Sequence, residues 1–450
     1  MSSTLGSDRS ARAGIGPLVL AGAAGAAAVA LLTALLTRTP VWSVTGLPEA
    51  GELTRNGVVA VKVLVTVASV VCVGALLAAA FLLPRQRTGM VDDDALPALR
   101  NAAAAASVWL VTSLAAILFT TAEAIGMPAG QLALSPGKLI VAVNALEQGK
   151  AWLVTAGLVL LIVFGCQRAR TWTHATGLFL LSLLALLPVA VTGHSAAGGA
   201  HDIATSSLIY HLLAAALWVG GLVAVVALGH RRSRHLVTAV HRFSRLALVC
   251  WVIMAASGVV NVWVRVEEPI DLFTTSYGAL LAAKVVGLGV LGWFGYRHRK
   301  QTIRALTWRD DRRPLVRLAA IEILVMFVTV GVAAALGRTP PPPRASALPS
   351  SVELLIGYDL AGPPTVARLL FDWRFELIFG ALAILLAAAY LARVRRLGKD
   401  WPVGRTVSWL AGCLVLLVAT SSGIARYASA VFSMHMVQQL LLAVVAPILL

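Results

Sequence analysis

Three of the nine histidines in the chain fall within one stretch, TGHSAAGGAHDIATSSLIYHLLAAALWVGGL, from Thr192 to Leu222. They are His194, His201 and His211. Imidazole is the commonest protein ligand for a metal ion, and it suits copper and zinc. His194 follows a glycine, and His201 closes the small SAAGGA loop. A loop of that composition can fold both rings back toward His211, so the spacing predicts a metal site built from all three. His211 lies inside an apolar run, and an ionisable side chain within a membrane span is a functional candidate by default. Two other readings fit the same residues. His211 could bond a neighbouring helix while the loop histidines are solvated, or it could be an axial haem ligand. Trp218 comes seven residues later on nearly the same helical face, and Gly220 and Gly221 permit close approach of a second helix.

A second group lies near the end of the sequence, in SMHMVQQ from Ser433. His435 and Gln439 are four apart and share a face, with Met434 and Met436 flanking the histidine. Imidazole with thioether suits monovalent copper, but neighbours on one helix end cannot all reach one ion, so other helices must contribute. Lys284 and Glu322 are charges within apolar runs. Such charges are costly in hydrocarbon unless they face the protein interior and pair. The sequence positions predict a Lys284–Glu322 clamp, with a proton or ion relay as the alternative. Glu123, followed by Met127, is a weaker external cation candidate. The chain has no GxSxG, Walker or HExxH motif and no arguable Ser–His–Asp set, so it reads as neither an enzyme nor an ATP-driven pump. Cys72, Cys166, Cys250 and Cys413 form no CxxC pair and read as small core residues.

These groups need a frame, and composition supplies it. The chain is 59% hydrophobic and 13% charged over 450 residues, against roughly a quarter charged in soluble domains. Apolar runs of about 20 residues recur along it, the length a helix needs to cross the hydrocarbon core. The expected class is all-α, a polytopic helical membrane protein. Twelve spans are predicted, near 14–37, 57–83, 101–125, 146–166, 173–192, 203–229, 240–263, 276–296, 315–337, 373–392, 404–425 and 433–450. With the N-terminus cytoplasmic, the cytoplasmic segments hold 25 of the 37 Lys and Arg residues, as the positive-inside rule requires. The net charge of +17 is therefore orientation signal with contact to anionic lipid, which excludes a nucleic-acid partner. His194 and His201 then lie outside, and His211 about two turns into the sixth span. His230, His235, His241 and His298 sit among arginines and read as solvated loop residues. RTPPPPRASALPSS (338–351) cannot continue a helix. It divides the chain into 1–338, a linker over 339–372, and 373–450. The sequence stops within an apolar run, so the last region reads as the start of a longer domain.

In this setting TGHSAAGGAH, YHLLAAALWVGGL, HRFSRLALVCWVIMAASGVVNVW, YGALLAAKVVGLGVLGWFGYRHRK and IEILVMFVTVGVAAAL resemble, in order, the membrane core of the copper resistance D (CopD) family. From about residue 352, YDLAGPPTVARLLFDWRFELIFG and the segment from WPVGR to APILL are similar to CtaG-type cytochrome c oxidase assembly factors, which actinobacteria carry fused to CopD regions. The first resemblance implies copper movement or handling at the inner, cytoplasmic membrane, with the histidine motif falling on His194 and His211 and with His201 in the same loop. The second implies a link to assembly of the oxidase copper centre, with oxidase subunits or an external copper chaperone as partners. Its usual HMxQH pattern meets His435 here, but Gln439 stands in place of the second histidine, and glutamine is a poor copper ligand. The implied ligand is copper; the rival classes are a haem-binding membrane redox protein and a metal-free assembly scaffold.

Overall fold

A computed structural model describes residues 16–36, 50–192, 201–266, 268–302, 313–337, 339, 341–342, 350–397 and 401–450. Among these residues there is no β-strand, apart from an isolated bridge between Met90 and Thr171. The principal helices are α1 (Gly16–Leu36), α2 (Glu52–Leu77), α3 (Ala95–Ala124), α4 (Glu147–Arg168), α5 (Trp172–Leu184), α6 (His201–His230), α7 (Leu236–Arg265), α8 (Ser276–Arg297), α9 (Arg313–Leu336), α10 (Phe379–Leu397), α11 (Val403–Ser421) and α12 (Phe432–Leu440). Ten of the described helical segments are long and apolar enough to cross a membrane. The two other predicted spans fall on α1 and α10. The all-helical class expected from the apolar runs is what forms, because a helix satisfies its own backbone groups where no water is available. The fifth predicted span is interrupted: α5 ends at Leu184 and a short helix, Leu187–Val191, carries Pro188 in its first turn.

The chain divides into two compact units. The first comprises residues up to Ser195 together with Leu208–Ala345. Its core surrounds α2 and α6, whose most apolar windows are 83% and 72% buried, against 11% for α7. α2 packs along α3, α3 along α4, and α1 along α9, which also meets α8. α2 and α6 touch backbone to backbone. A Cβ built on Gly74 would lie 2.0 Å from the Gly220 carbonyl oxygen, and one on Gly220 would lie 2.3 Å from the Val70 oxygen. Only hydrogen fits at either position. The neighbouring Gly221 faces the Phe243 ring, where a Cβ would come within 2.5 Å. α2 ends in a π-helical turn, Ala78–Leu82, which leaves its terminal carbonyls in need of donors. Trp172 Nε1 donates to the Ala80 oxygen at 2.7 Å, and Arg242 Nη1 to the Phe81 and Leu83 oxygens at 2.8 and 3.2 Å.

The predicted Lys284–Glu322 clamp is not the pairing that forms. Glu322, only 3% exposed, has its carboxylate 3.0 Å from His298 Nε2. The reason lies in the helix: α8 continues as a π-helical turn, His298–Thr302, and brings His298 level with Glu322. Lys284 is fourteen residues back along the same rod, about 21 Å at ~1.5 Å per residue. His298 is therefore not a solvated loop residue; its side chain is 11% exposed.

The second unit comprises Ala196–Ser207 and Ser346–Leu450. Its centre is α11. The segment before α10 is fastened to the α11 end and to the short helix Gly423–Ala428 by side chains. Tyr358 OH donates to the Arg426 oxygen at 2.7 Å and Tyr427 OH to the Gly362 oxygen at 2.9 Å. Arg426 pairs with Asp372 and donates to the Asp359 oxygen. Tyr390 stacks on Trp409, ring centroids 5.0 Å apart.

A methyl group at the α2–α6 contact must separate the two backbones. Gly220→Ala is expected to destabilise the detergent-solubilised protein by at least the ~1–3 kcal/mol typical of overpacked cores. Gly258→Ala, where a Cβ meets nothing within 4 Å, should have little effect. Thermal unfolding of both variants checks this, and equal melting temperatures would refute the backbone contact.

Candidate functional site

His211 lies on α6, and its Nδ1 is 2.9 Å from the Ser257 hydroxyl on α7. Ser257 donates its own proton to the Met254 carbonyl one turn back, at 3.2 Å. With the Ser257 proton directed to Met254, the serine oxygen is an acceptor for an Nδ1–H of His211, and in that tautomer Nε2 is the nitrogen available to a ligand. An outer partner on one ring nitrogen is the usual companion of a metal on the other. Asn261 extends the arrangement by donating to the Ser257 backbone oxygen at 3.0 Å. Lys284 on α8 is within electrostatic reach of His211, and Arg265 within reach of Lys284. Lys284 thus belongs to the surroundings of His211 instead of to Glu322. Trp218 is buried, 5% exposed, in the main apolar core, which supports its packing role.

Of the three predicted histidine ligands, His194 lies outside the described residues. His201 is the first residue of α6, where a flexible loop was expected. Ten residues separate it from His211 on a continuous helix, about 15 Å of rise at ~1.5 Å per residue. Next to His201, Asp202 pairs with Arg374.

In the second unit His435 is exposed on α12, near a π-helical turn, Leu441–Val445. Gln439 is also exposed, whereas its neighbour Gln438 donates to the Ala419 oxygen at 2.8 Å and so ties α12 to α11. The sequence pattern drew attention to Gln439; Gln438 is the structural amide.

One described group brings three metal-donor side chains together: Asp92, Asp94 and His235, with one donor atom of each within 4.8 Å of the others. Sequence reasoning treated His235 as a solvated loop residue. In fact its side chain is 25% exposed and its Nε2 lies 3.4 Å from Asp92. Arg234 fills the same space, donating to Asp92 at 3.3 Å and to His235 Nε2 at 3.1 Å, while Ser233 donates to Asp94 at 2.6 Å. With a guanidinium already on the carboxylate and on the imidazole lone pair, the group is an ion-pair clamp between two interhelical segments. The run VDDD beside HRRSRH was the available signal, since opposite charge blocks flank helix ends there.

Three family models match the chain in succession. The copper resistance protein D-like N-terminal domain covers residues 52–202, copper resistance protein D covers 237–336, and the cytochrome c oxidase caa3 assembly factor (Caa3_CtaG) covers 388–450. The chain is thus similar, in succession, to CopD regions and to a Caa3_CtaG region. Among curated relatives, "Uncharacterized protein ML1998" of Mycobacterium leprae is 28% identical over 96% of this chain and 63% of its own length. "Uncharacterized protein Mb0105" of Mycobacterium bovis is 28% identical over 86% of the chain and 56% of its own length. "Copper transport protein CutJ" of Bacillus subtilis is 26% identical over 47% of the chain and 40% of its own length. The chain thus spans about six tenths of the mycobacterial relatives it matches. No solved structure matches it. His211 falls between the first two matched regions, on the helix that connects them.

Asp92 provides a test of the clamp. Burial pushes its pKa up, but the Asp94 backbone N–H, His235 and Arg234 together outweigh this and hold it below the ordinary carboxylate value. A lowered folded-state pKa contributes stability that is present above the unfolded value, ~3.9, and is lost as pH falls through the folded value. Hydrogen exchange at residues 91–95 should therefore stay slow from pH 7 to about 4 and accelerate below it. Asp92→Asn should exchange fast already at neutral pH. A wild-type profile identical to that of Asp92→Asn would remove the clamp.

Proposed function

We propose that this chain handles copper at the bacterial cytoplasmic membrane, taking the ion from the outer side and passing it toward cytochrome c oxidase assembly. His194 and His201 are the entry ligands, and His211 is a second station, about 15 Å along α6 from the backbone of His201. His435 is the candidate ligand of the C-terminal region, and there the absence of a histidine at 439 leaves the remaining donors to other helices. The succession of copper resistance and oxidase assembly matches along the chain supports the reading. The single observation that carries it is the His211–Ser257 hydrogen bond. It gives an imidazole within an apolar helix, anchored through Nδ1, and Nε2 is the proposed ligand atom. Copper is cargo in this reading, and lipid, oxidase subunits and an external copper donor are the partners. The proposed role is binding and transfer of the ion.

The test is the metal content of purified protein after loading with Cu(I) and removal of unbound ion. His211→Ala should lose at least one copper equivalent relative to wild type. Ser257→Ala, which keeps the ligand but frees its ring, should weaken Cu(I) affinity by about 10–100-fold, the usual cost of losing an outer partner. Equal copper content in wild type and His211→Ala would sink the proposal.

A further inference from the structure

The first turn of α6 is held by a residue from far along the chain. Arg374 and Asp202 form an ion pair across 172 positions of sequence. The arginine is fixed from several directions. Its backbone N–H donates to the Ser421 oxygen at 2.9 Å, its guanidinium lies 4.1 Å from the Tyr358 ring centroid, and its side chain is 15% exposed. Arg426 approaches the same ring, at 5.8 Å, but has its own carboxylate in Asp372. The two arginines thus divide the two acids between them, and Asp202 is the carboxylate that serves Arg374. Asp202 stands one residue after His201 in the first turn of α6, where an acidic side chain also opposes the positive end of the helix dipole. Residues 196–207 accordingly belong to the C-terminal compact unit, although the rest of α6 belongs to the other.

We infer that Arg374 is a positioning residue, by which the C-terminal unit fixes the first turn of α6 and with it the backbone of the entry ligand His201. This rests on the copper reading above for what His201 does, though not for the ion pair itself. The consequence is specific. The head of the histidine helix is tied to a residue that precedes the assembly-factor match at 388–450, so copper capture depends on a residue outside the copper resistance regions. Loss of either partner leaves a half-buried guanidinium beside Arg426, or a carboxylate without its cation, and releases the turn.

A double-mutant cycle on the full chain tests this: Arg374→Gln, Asp202→Asn, and both together, with Arg374→Lys as the conservative variant. Two quantities are read. The first is hydrogen exchange of residues 202–207, which is independent of copper. The second is Cu(I) affinity, by competition with a chelating dye. Each single variant should exchange faster over 202–207 and bind Cu(I) about tenfold more weakly. The double variant should be no worse than either single one, and Arg374→Lys should recover most of both. Unchanged exchange in the single variants, or fully additive effects, would overturn the inference. Faster exchange with unchanged Cu(I) affinity would also overturn it, leaving the pair a purely structural tie. If the wild type itself binds no Cu(I), the copper reading fails, and His201 then has no copper for Arg374 to position.

Discussion

The approach of α2 to α6 at Gly74 and Gly220 is the constraint on which the first unit depends. In a bilayer, lipid tails are as apolar as the side chains, so helices associate through close packing and not through expulsion of water. Two glycines allow the backbones to meet, and everything α6 carries is then set in rotation and depth. His211 lies nine residues before Gly220, two and a half turns along the same rod. The contact therefore helps to determine which neighbour the imidazole meets, and that neighbour is Ser257. A bulkier residue at either glycine would move the histidine with the helix.

Around this contact, polar groups in an apolar setting are arranged so that they find partners. Glu322 has His298; the end of α2 has Arg242 and Trp172; Asp92 has Arg234 and His235. Leaving such groups without partners in hydrocarbon costs several kcal/mol apiece. The same logic distinguishes the two kinds of histidine in the chain. His235 and His298 lie against carboxylates and belong to structural polar clusters. His211 instead meets a serine hydroxyl through Nδ1.

The second unit follows a different rule. Its segment before α10 has little regular structure, and it is held by arginines and tyrosines that reach backbone carbonyls and carboxylates. Arg374, Arg426, Tyr358 and Tyr427 together replace the helix-on-helix packing that orders the first unit. Because one of the acids they use, Asp202, sits at the head of α6, the histidine helix begins in one unit and ends in the other.

Apolar runs of span length are enough to specify helices, since hydrocarbon leaves the backbone no alternative to internal hydrogen bonding. The all-helical membrane class and the resemblance to copper resistance and oxidase assembly regions were legible in the residues, as was the need for close approach at Gly220, whereas ten of the twelve predicted spans are helices long and apolar enough to cross a membrane among the described residues. Partner identity was not. Lys284 and Glu322 looked complementary from their positions in sequence, yet the π-helical turn after α8 put His298 opposite the glutamate. The SAAGGA loop looked set to run through His201, yet His201 is already the first residue of α6, beside an Asp202 that pairs with Arg374. Sequence records composition and spacing along one chain, which decide which segments become helices. Where helices end, how they rotate and which side chains meet depend on contacts between residues far apart in sequence, such as 202 with 374 or 211 with 257, and those are decided when the helices pack.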